Sequence, residues 1–241
     1  MYEYSHLVSI GKFQLPHEAH LDIIKKALSL AERVILMVGS SNMARSPYLP
    51  FTFEEREVML ELAIKAEFPN EPNIMERISI RPVLDLPNNN GEDPWISHVK
   101  DQAIQAARSW TDTYYNFGLI GHSKDHTSFY LKMFPDWKSV DVGRKNNEFG
   151  NPISSTDLRK LYLNGRHNAI SIANSPLVPK GVRPFLEGFS KSEAYDWLRN
   201  EADFYITYKN SWKFAPYPPG ILCADNVIPH AGKILLVQRK K

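Results

Sequence analysis

The chain has 241 residues, and its 29 lysines and arginines against 27 aspartates and glutamates leave a net charge of only +2. This balance does not indicate a nucleic-acid partner, and an apolar fraction of 43% excludes a disordered chain. The single cysteine, Cys223, excludes an intrachain disulfide and a cysteine-based zinc site. No apolar run approaches the roughly 20 residues of a membrane helix, and the first residues carry no secretory signal. We therefore expect a cytoplasmic protein that has no membrane partner.

Strands and helices are predicted to alternate through the first 165 residues. In chain order, the hydrophobic spacing predicts a strand at 7–10, a helix at 18–31, a strand at 34–38, a helix from the Thr52/Glu55 capping box to about 67, and a strand at 78–83. After a loop at 86–94 it predicts a helix at 95–110, a strand at 116–120, a helix at 128–134, a strand at 139–142 and a helix at 155–163. Helices between consecutive strands imply right-handed crossovers. The predicted fold class is therefore α/β, with a doubly wound parallel sheet.

Residues after 165 have a different pattern. Three prolines lie between residues 176 and 184, a helical stretch is predicted from 190 to about 205, and a proline-rich segment follows at 215–220. A hairpin is then predicted from strands at 221–228 and 233–237 around the turn 229–232. Two strands do not make a stable sheet alone. They either pair with the main domain or belong to a second domain that has been cut away.

Three polar loops follow predicted strands, at 11–20, 121–125 and 150–159. Ligands of doubly wound sheets bind at the carboxyl ends of the strands, so these loops are the candidate site. The chain has no G-x-x-x-x-G-K-[ST] and no G-x-G-x-x-G sequence. Phosphate binding must therefore come from other groups in these loops.

His17 and His20 begin the first predicted helix, directly after the loop that starts at Gly11. Residues three apart lie on one helix face, and a helix amino terminus offers free N–H groups and a positive dipole end. The pair therefore suits polyphosphate oxygens whose negative charge grows during phosphoryl transfer. An ordinary surface or capping role for each histidine is the alternative.

A second helix start carries Ser154, Ser155 and Thr156, with Arg159 one turn further along the same face. Serine or threonine at such a place usually caps its own helix. The arginine adds a planar guanidinium to the hydroxyls and amides, and this combination is typical of phosphate recognition.

Weaker signals come from Lys124, Asp125 and Trp95. The lysine and aspartate follow a predicted strand and could bind phosphate and ribose hydroxyls, or form a solvated turn. Trp95 opens a helix after a polar loop and could stack on a heteroaromatic ring, or belong to the core.

Two of these segments resemble signatures of the nucleotidyltransferase superfamily. Residues 11–20 read G-K-F-Q-L-P-H-E-A-H and resemble G-R-F-Q-P-x-H-x-G-H, while residues 153–159 read I-S-S-T-D-L-R and match I-S-S-T-x-x-R. Residues 121–137 and 208–217 resemble the bifunctional enzymes that join a nicotinamide mononucleotide (NMN) adenylyltransferase domain to a Nudix hydrolase domain. The departures are Lys12 for arginine, Leu15-Pro16 in place of an earlier proline, and Ala19 for glycine.

This resemblance implies a Rossmann-like nucleotidyltransferase domain at 1–188, a helical linker region at 189–220, and the opening strands of a truncated Nudix-like domain at 221–241. The Nudix box G-x5-E-x7-R-E-x-x-E-E-x-G does not occur in the chain, so Nudix hydrolysis is not expected.

The implied reaction is transfer of AMP from ATP to NMN with Mg²⁺, forming NAD and pyrophosphate. The resemblance assigns catalysis to His17, His20 and Arg159. It assigns ATP and phosphate binding to Gly11, Lys12, Phe13, Lys124, Asp125, Ser154, Ser155 and Thr156. It assigns NMN binding to Trp95 and Asp93, and no protein metal site is expected. A homo-oligomer is compatible with the sequence.

Two alternatives stay open from the sequence. One is a related nucleotidyltransferase that acts on phosphopantetheine, flavin mononucleotide or another phosphate. The other is a non-catalytic NAD or ATP sensor, in which Lys12 and Ala19 have weakened the site.

Overall fold

A computed structural model describes residues 2–86, 94–110, 115–122, 133–143, 145–214, 229–230 and 233–234. The chain divides into two compact units, Met1–Ala202 and Asp203–Lys241. The domain limits at residues 188 and 220 stay a prediction. Within the described residues, no helix combines the length and the apolar character that crossing a membrane requires.

The first unit contains a five-stranded sheet in which every neighbouring pair is parallel. Its strands are β1 (Tyr4–Gly11), β2 (Ala31–Val38), β3 (Ile78–Pro82), β4 (Phe117–Gly121) and β5 (Lys138–Asp141), in the spatial order β3-β2-β1-β4-β5. The order reverses between β1 and β4, which is where ligands bind in such sheets. The predicted fold class is confirmed.

Seven α-helices are described: α1 (Glu18–Leu30), α2 (Phe53–Glu67), α3 (Pro94–Ser109), α4 (Ser155–Tyr162), α5 (Arg166–Ala173), α6 (Arg183–Phe189) and α7 (Glu193–Ser211). The predicted capping box of α2 is present, because the Glu55 N–H donates to Thr52 Oγ1 over 3.3 Å and the Thr52 N–H donates to Glu55 Oε2 over 2.9 Å. The predicted helix at 128–134 falls mostly outside the described residues.

Alternating residues of the central strands are buried on opposite faces of the sheet. In β2, Val34, Leu36 and Val38 pack with α1 and α2 residues, whereas Ile35 and Met37 pack with α3 residues. Successive strand side chains point to opposite faces, so a run of five apolar residues serves two layers at once.

The segment after α4 is more helical than the sequence predicted. Two short helices, α5 and α6, precede α7, and their apolar residues join a core cluster with Leu15 and Phe51. Pro184, one of the three prolines in the region where the sequence pattern changes, lies in the first turn of α6. A helix tolerates proline there because the first N–H groups have no intrahelical acceptor.

In the second unit, Pro229–His230 pairs antiparallel with Lys233–Ile234. The prediction placed residues 229 and 230 in the turn of the hairpin, and the structure places them in a strand. The rest of the predicted strands, at 221–228 and 235–237, lies outside the described residues.

Candidate active site

A cleft of about 660 Å³ lies at the carboxyl ends of the strands. It is lined by every predicted site residue that the structure describes: Gly11, Lys12, Phe13, His17, His20, Trp95, Ser154, Ser155, Thr156 and Arg159. The other three predicted residues, Asp93, Lys124 and Asp125, lie outside the described residues. Segments that are far apart in the chain thus meet where the sheet order reverses.

The turn after β1 is folded tightly. Phe13 and Leu15 have φ angles of 47° and 75°, a left-handed conformation that costs a non-glycine residue on the order of 1–3 kcal/mol. Gln14 ties the turn to the start of α2, since its Nε2 donates to the Phe51 carbonyl over 2.9 Å and its Oε1 accepts from the Phe51 N–H over 3.0 Å. Such strain at a cleft is typical of a functional loop.

His17 and His20 form a stacked pair at the start of α1. Their ring centroids are 3.7 Å apart, and the His20 ring also packs 4.9 Å from that of Phe13. His20 Nδ1 accepts the backbone N–H of His17 over 3.3 Å. The proton of a neutral His20 ring is therefore on Nε2, which can donate it to a ligand oxygen. His17 is only 4% exposed, so His20 is the more accessible of the two.

The hydroxyls at the start of α4 have structural partners as well. Ser154 caps its helix by accepting the Asp157 N–H over 3.4 Å, as the capping interpretation expected. Ser155 Oγ donates to the Leu15 carbonyl at 3.5 Å and so connects α4 to the turn after β1. This contact brings the two signature segments together.

The cleft is positively charged. Its lining includes Lys12, Arg159 and Lys145, the last of which is ion-paired with carboxylates of α1, against Asp85 as the one carboxylate among the described lining residues. Arg159 forms no ion pair with a described carboxylate, and its partial burial lowers the pKa of its guanidinium. A cation that is partly removed from water and forms no direct ion pair with a described carboxylate attracts a ligand anion strongly.

Trp95 lies in the first turn of α3 and lines the cleft. Its ring also packs near Phe134, with centroids 6.1 Å apart. The residue therefore combines both roles considered from the sequence, with one part in the core and another facing the cleft.

Among the lining residues that sequence reasoning did not assign to the site are Ser40, Asp85 and Lys145. Ser40 and Asp85 follow β2 and β3, so the rule used for the other loops could have found them. Lys145 had no local signal. Its Nζ lies 2.8 Å from Asp22 Oδ2 and 3.7 Å from Glu18 Oε2, so it is held by α1. Burial raises the pKa of Glu18, and the nearby Lys145 opposes that shift.

Comparison with known proteins places this architecture in a family. The model of the cytidylyltransferase-like family matches residues 8–161, which run from β1 through α4 and include both signature segments. The chain belongs to this family. It is 36% identical over 203 residues to a nicotinamide/nicotinic acid mononucleotide adenylyltransferase of Acinetobacter baylyi, covering 83% of this chain and 95% of that protein. A nicotinamide-nucleotide adenylyltransferase of Archaeoglobus fulgidus is 31% identical over 56% of this chain and 76% of its own length.

Two crystal structures of a bifunctional NMN adenylyltransferase/ADP ribose pyrophosphatase from Francisella tularensis superpose on 90% of this chain. One has a TM-score of 0.74 at 27% identity, and the other, a complex with AMP and a manganese ion, has a TM-score of 0.71 at 26% identity. The chain spans 58% of the length of the Francisella protein. These similarities confirm the nucleotidyltransferase resemblance of the two signature segments and the resemblance to NMN adenylyltransferases that residues 121–137 and 208–217 indicated.

Proposed function

We propose that this chain transfers AMP from ATP to nicotinamide mononucleotide, forming NAD and pyrophosphate. The observation that carries the proposal is the convergence of His17, His20 and Arg159 in one positively charged cleft at the sheet reversal. A relative that this chain covers over 95% of its length is named nicotinamide/nicotinic acid mononucleotide adenylyltransferase.

The chemistry proposed is a direct displacement. A phosphate oxygen of NMN attacks the α-phosphorus of ATP and forms a new P–O bond. The bond from that phosphorus to the oxygen bridging it to the β-phosphate breaks, and pyrophosphate leaves with the electron pair. The attacking phosphate is already an anion, so no protein base is required. Catalysis then consists of holding the two phosphates in line and stabilising the charge that develops.

The proposed roles are those that the resemblance assigns, and the cleft lining supports them for the described residues. His20, through Nε2–H, and His17 stabilise the leaving pyrophosphate, and Arg159 holds the β- and γ-phosphates with a bidentate guanidinium. Trp95 stacks on the nicotinamide ring. The further residues proposed for ATP and phosphate are Gly11, Lys12, Phe13, Lys124, Asp125, Ser154, Ser155 and Thr156, and Asp93 is proposed to contact NMN.

Mg²⁺ is proposed to enter as part of the substrate, bound to ATP. No group of three or more histidine, cysteine, aspartate or glutamate side chains among the described residues could hold a metal ion. The described lining offers one carboxylate, Asp85. Mg²⁺ keeps several waters and takes phosphate oxygens readily, so a nucleotide-borne ion needs no protein cage. The Francisella relative was crystallised with AMP and manganese, which supports use of a divalent ion.

We further propose a cytoplasmic location for this activity, since NAD synthesis draws on ATP and the chain has one cysteine. A homo-oligomer is compatible with this proposal, and neither nucleic acid nor a membrane takes part in it.

The test is pyrophosphate release from ATP and Mg²⁺, measured separately with NMN, nicotinic acid mononucleotide, flavin mononucleotide and phosphopantetheine. Release with a pyridine mononucleotide, with the dinucleotide appearing in equal amount, supports the proposal. Release only with flavin mononucleotide or phosphopantetheine replaces it with the related nucleotidyltransferase. No release from a protein that still binds ATP or NAD makes it a sensor.

A further inference from the structure

Arg56 is a buried guanidinium behind the cleft. It lies in the first half of α2, is 1% exposed, and does not line the cleft itself. Its Nη1 donates to the carbonyls of Lys12 and Gly39, both over 2.7 Å, and its Nη2 lies 3.5 Å from the Ser40 carbonyl. Its Nε donates to the Thr52 carbonyl over 3.0 Å. One side chain thus connects α2 to the turns that follow β1 and β2.

Arg56 forms no direct ion pair with a described residue, because all four of its hydrogen-bond acceptors are backbone carbonyls. Burial lowers the pKa of Arg56 to about 10, with Glu54, Asp85 and Glu55 opposing the shift, so the guanidinium stays charged at neutral pH. Burying a charge without an ion pair is costly. The hydrogen bonds to the carbonyls offset part of that cost, and an apolar side chain would leave these carbonyls without this donor. The arginine is therefore tied to the carbonyls that it binds.

The carbonyls that Arg56 binds belong to two turns that line the cleft. Each turn contains a non-glycine residue in the left-handed region, Phe13 at φ 47° and Ser40 at φ 52°. The Gly39 N–H also donates to the Gly11 carbonyl over 2.9 Å and connects the turns to each other. Such conformations persist only where the surroundings over-determine them, and Arg56 donates hydrogen bonds to both turns.

Ser40 carries an independent indication of a ligand. The residue is 2% exposed and lines the cleft, and its Oγ has no hydrogen-bond partner among the described residues. A buried hydroxyl without a partner costs free energy unless a ligand or water satisfies it. A phosphate oxygen is a matching acceptor in a cleft that carries Lys12 and Arg159.

We propose that Arg56 is a positioning residue of the nucleotide site. It holds the turns after β1 and β2 in the conformations that present Lys12, Phe13 and Ser40 to a nucleotide phosphate. The proposal rests on the proposed function and adds a residue that touches neither the substrates nor the reacting atoms.

Arg77 offers a matched control. Its guanidinium also donates to several backbone carbonyls: those of Leu28 and Ala31 over 2.8 Å each and that of Glu32 over 3.1 Å. Those carbonyls surround the start of β2, at the opposite end of the sheet from the cleft. Substituting Arg77 removes comparable hydrogen bonds to backbone carbonyls without changing the two turns.

The experiment compares Arg56→Lys with Arg77→Lys in the full chain. The measurements are Tm, kcat/KM for ATP with NMN, and ATP affinity by calorimetry in the absence of NMN. Lysine keeps the charge but lacks the planar guanidinium, whose several N–H groups bind carbonyls of both turns. We expect Arg56→Lys to lower kcat/KM on the order of 10²-fold and to weaken ATP binding, because small displacements of positioning groups have effects of that size. Arg77→Lys should lower Tm and leave both kinetic and binding constants within about twofold of the unsubstituted protein.

If Arg56→Lys lowers Tm but keeps kcat/KM and ATP affinity within twofold, Arg56 is only structural and the proposal is overturned. If Arg56→Lys does not fold, Ser40→Ala decides. Removing a hydroxyl that has no described partner should leave Tm unchanged while ATP affinity falls about tenfold, the size of a hydrogen bond to a charged group. Unchanged affinity in Ser40→Ala overturns the proposal. If the unsubstituted protein shows no turnover, the proposed reaction fails, and the calorimetric affinities still decide the role of Arg56.

Discussion

At the amino end of the sheet, His6 is fully buried and its ring lies 5.7 Å from that of Trp110 and 5.2 Å from that of Phe117. At the carboxyl end, His20 stacks on His17 and lines the open cleft. Both ends use histidines packed on aromatic rings. The difference is that His6 is enclosed in the core, whereas His20 faces a cleft. A histidine beside an aromatic residue therefore does not by itself indicate catalysis.

The cations at the two ends differ in the same way. At the amino end, Arg33 lies 5.3 Å from the Trp110 ring centre and Arg77 lies 5.1 Å from that of Tyr2. At the carboxyl end, Lys12 and Arg159 line the cleft without an ion pair among the described residues. Charges that already have aromatic partners contribute to packing, whereas charges directed into a cleft are available to a ligand.

The largest loss of turnover is expected from His20→Ala. Loss of the donor to the leaving pyrophosphate should lower kcat on the order of 10²- to 10³-fold, the effect of removing a preorganised donor from a transition state. Tm should change little, because the ring is only partly buried. The control is His167→Ala on the exposed side of α5, with unchanged kcat. Near-normal turnover of His20→Ala contradicts the assigned role.

A smaller effect is expected from Arg159→Lys. Lysine keeps the positive charge but loses the bidentate geometry for phosphate, so KM for ATP should rise about tenfold with a smaller change in kcat. Steady-state kinetics at varied ATP measures this. Arg166→Lys is the matched control, since Arg166 pairs with Asp196 at 2.6 Å and lies outside the cleft lining. Equal KM values in the two variants would show that Arg159 does not bind ATP.

The smallest effect on turnover is expected from Gly118→Ala at the amino end of β4. A Cβ there would lie 2.7 Å from the Tyr4 ring and 2.8 Å from Leu7, so crowding should lower the free energy of unfolding by about 1–3 kcal/mol. At a temperature where the variant is folded, kcat and KM should be unchanged, because the cleft lies at the other end of the sheet.

Gly188→Ala in α6 is the control for Gly118→Ala. Among the described residues, no atom outside its chain neighbours and its own helix backbone lies within 4 Å of the added methyl group. Alanine also favours a helix, so the substitution should stabilise the protein by up to about 1 kcal/mol. Chemical denaturation compares the two variants. A Gly118→Ala variant as stable as the unsubstituted protein contradicts the predicted crowding, and one with altered KM contradicts the separation of the two ends.

The sequence by itself determined the parallel α/β sheet, because apolar runs, helical spacing and caps are local signals that agree with one another along the chain. It also determined the two signature segments, since their residues are contiguous. Only the tertiary structure decided that α5 and α6 are helices, because short segments depend on packing rather than on propensity.

The tertiary structure also decided which residues share the cleft. Ser40, Asp85 and Lys145 come from three loops that lack a recognisable motif, and Arg56 acts through carbonyls of Lys12 and Gly39, far from it in the chain. Every residue has a backbone carbonyl, so no sequence pattern reveals which carbonyls a guanidinium will bind. Hydrogen-bond partners across the fold exist only once the strands have been placed side by side.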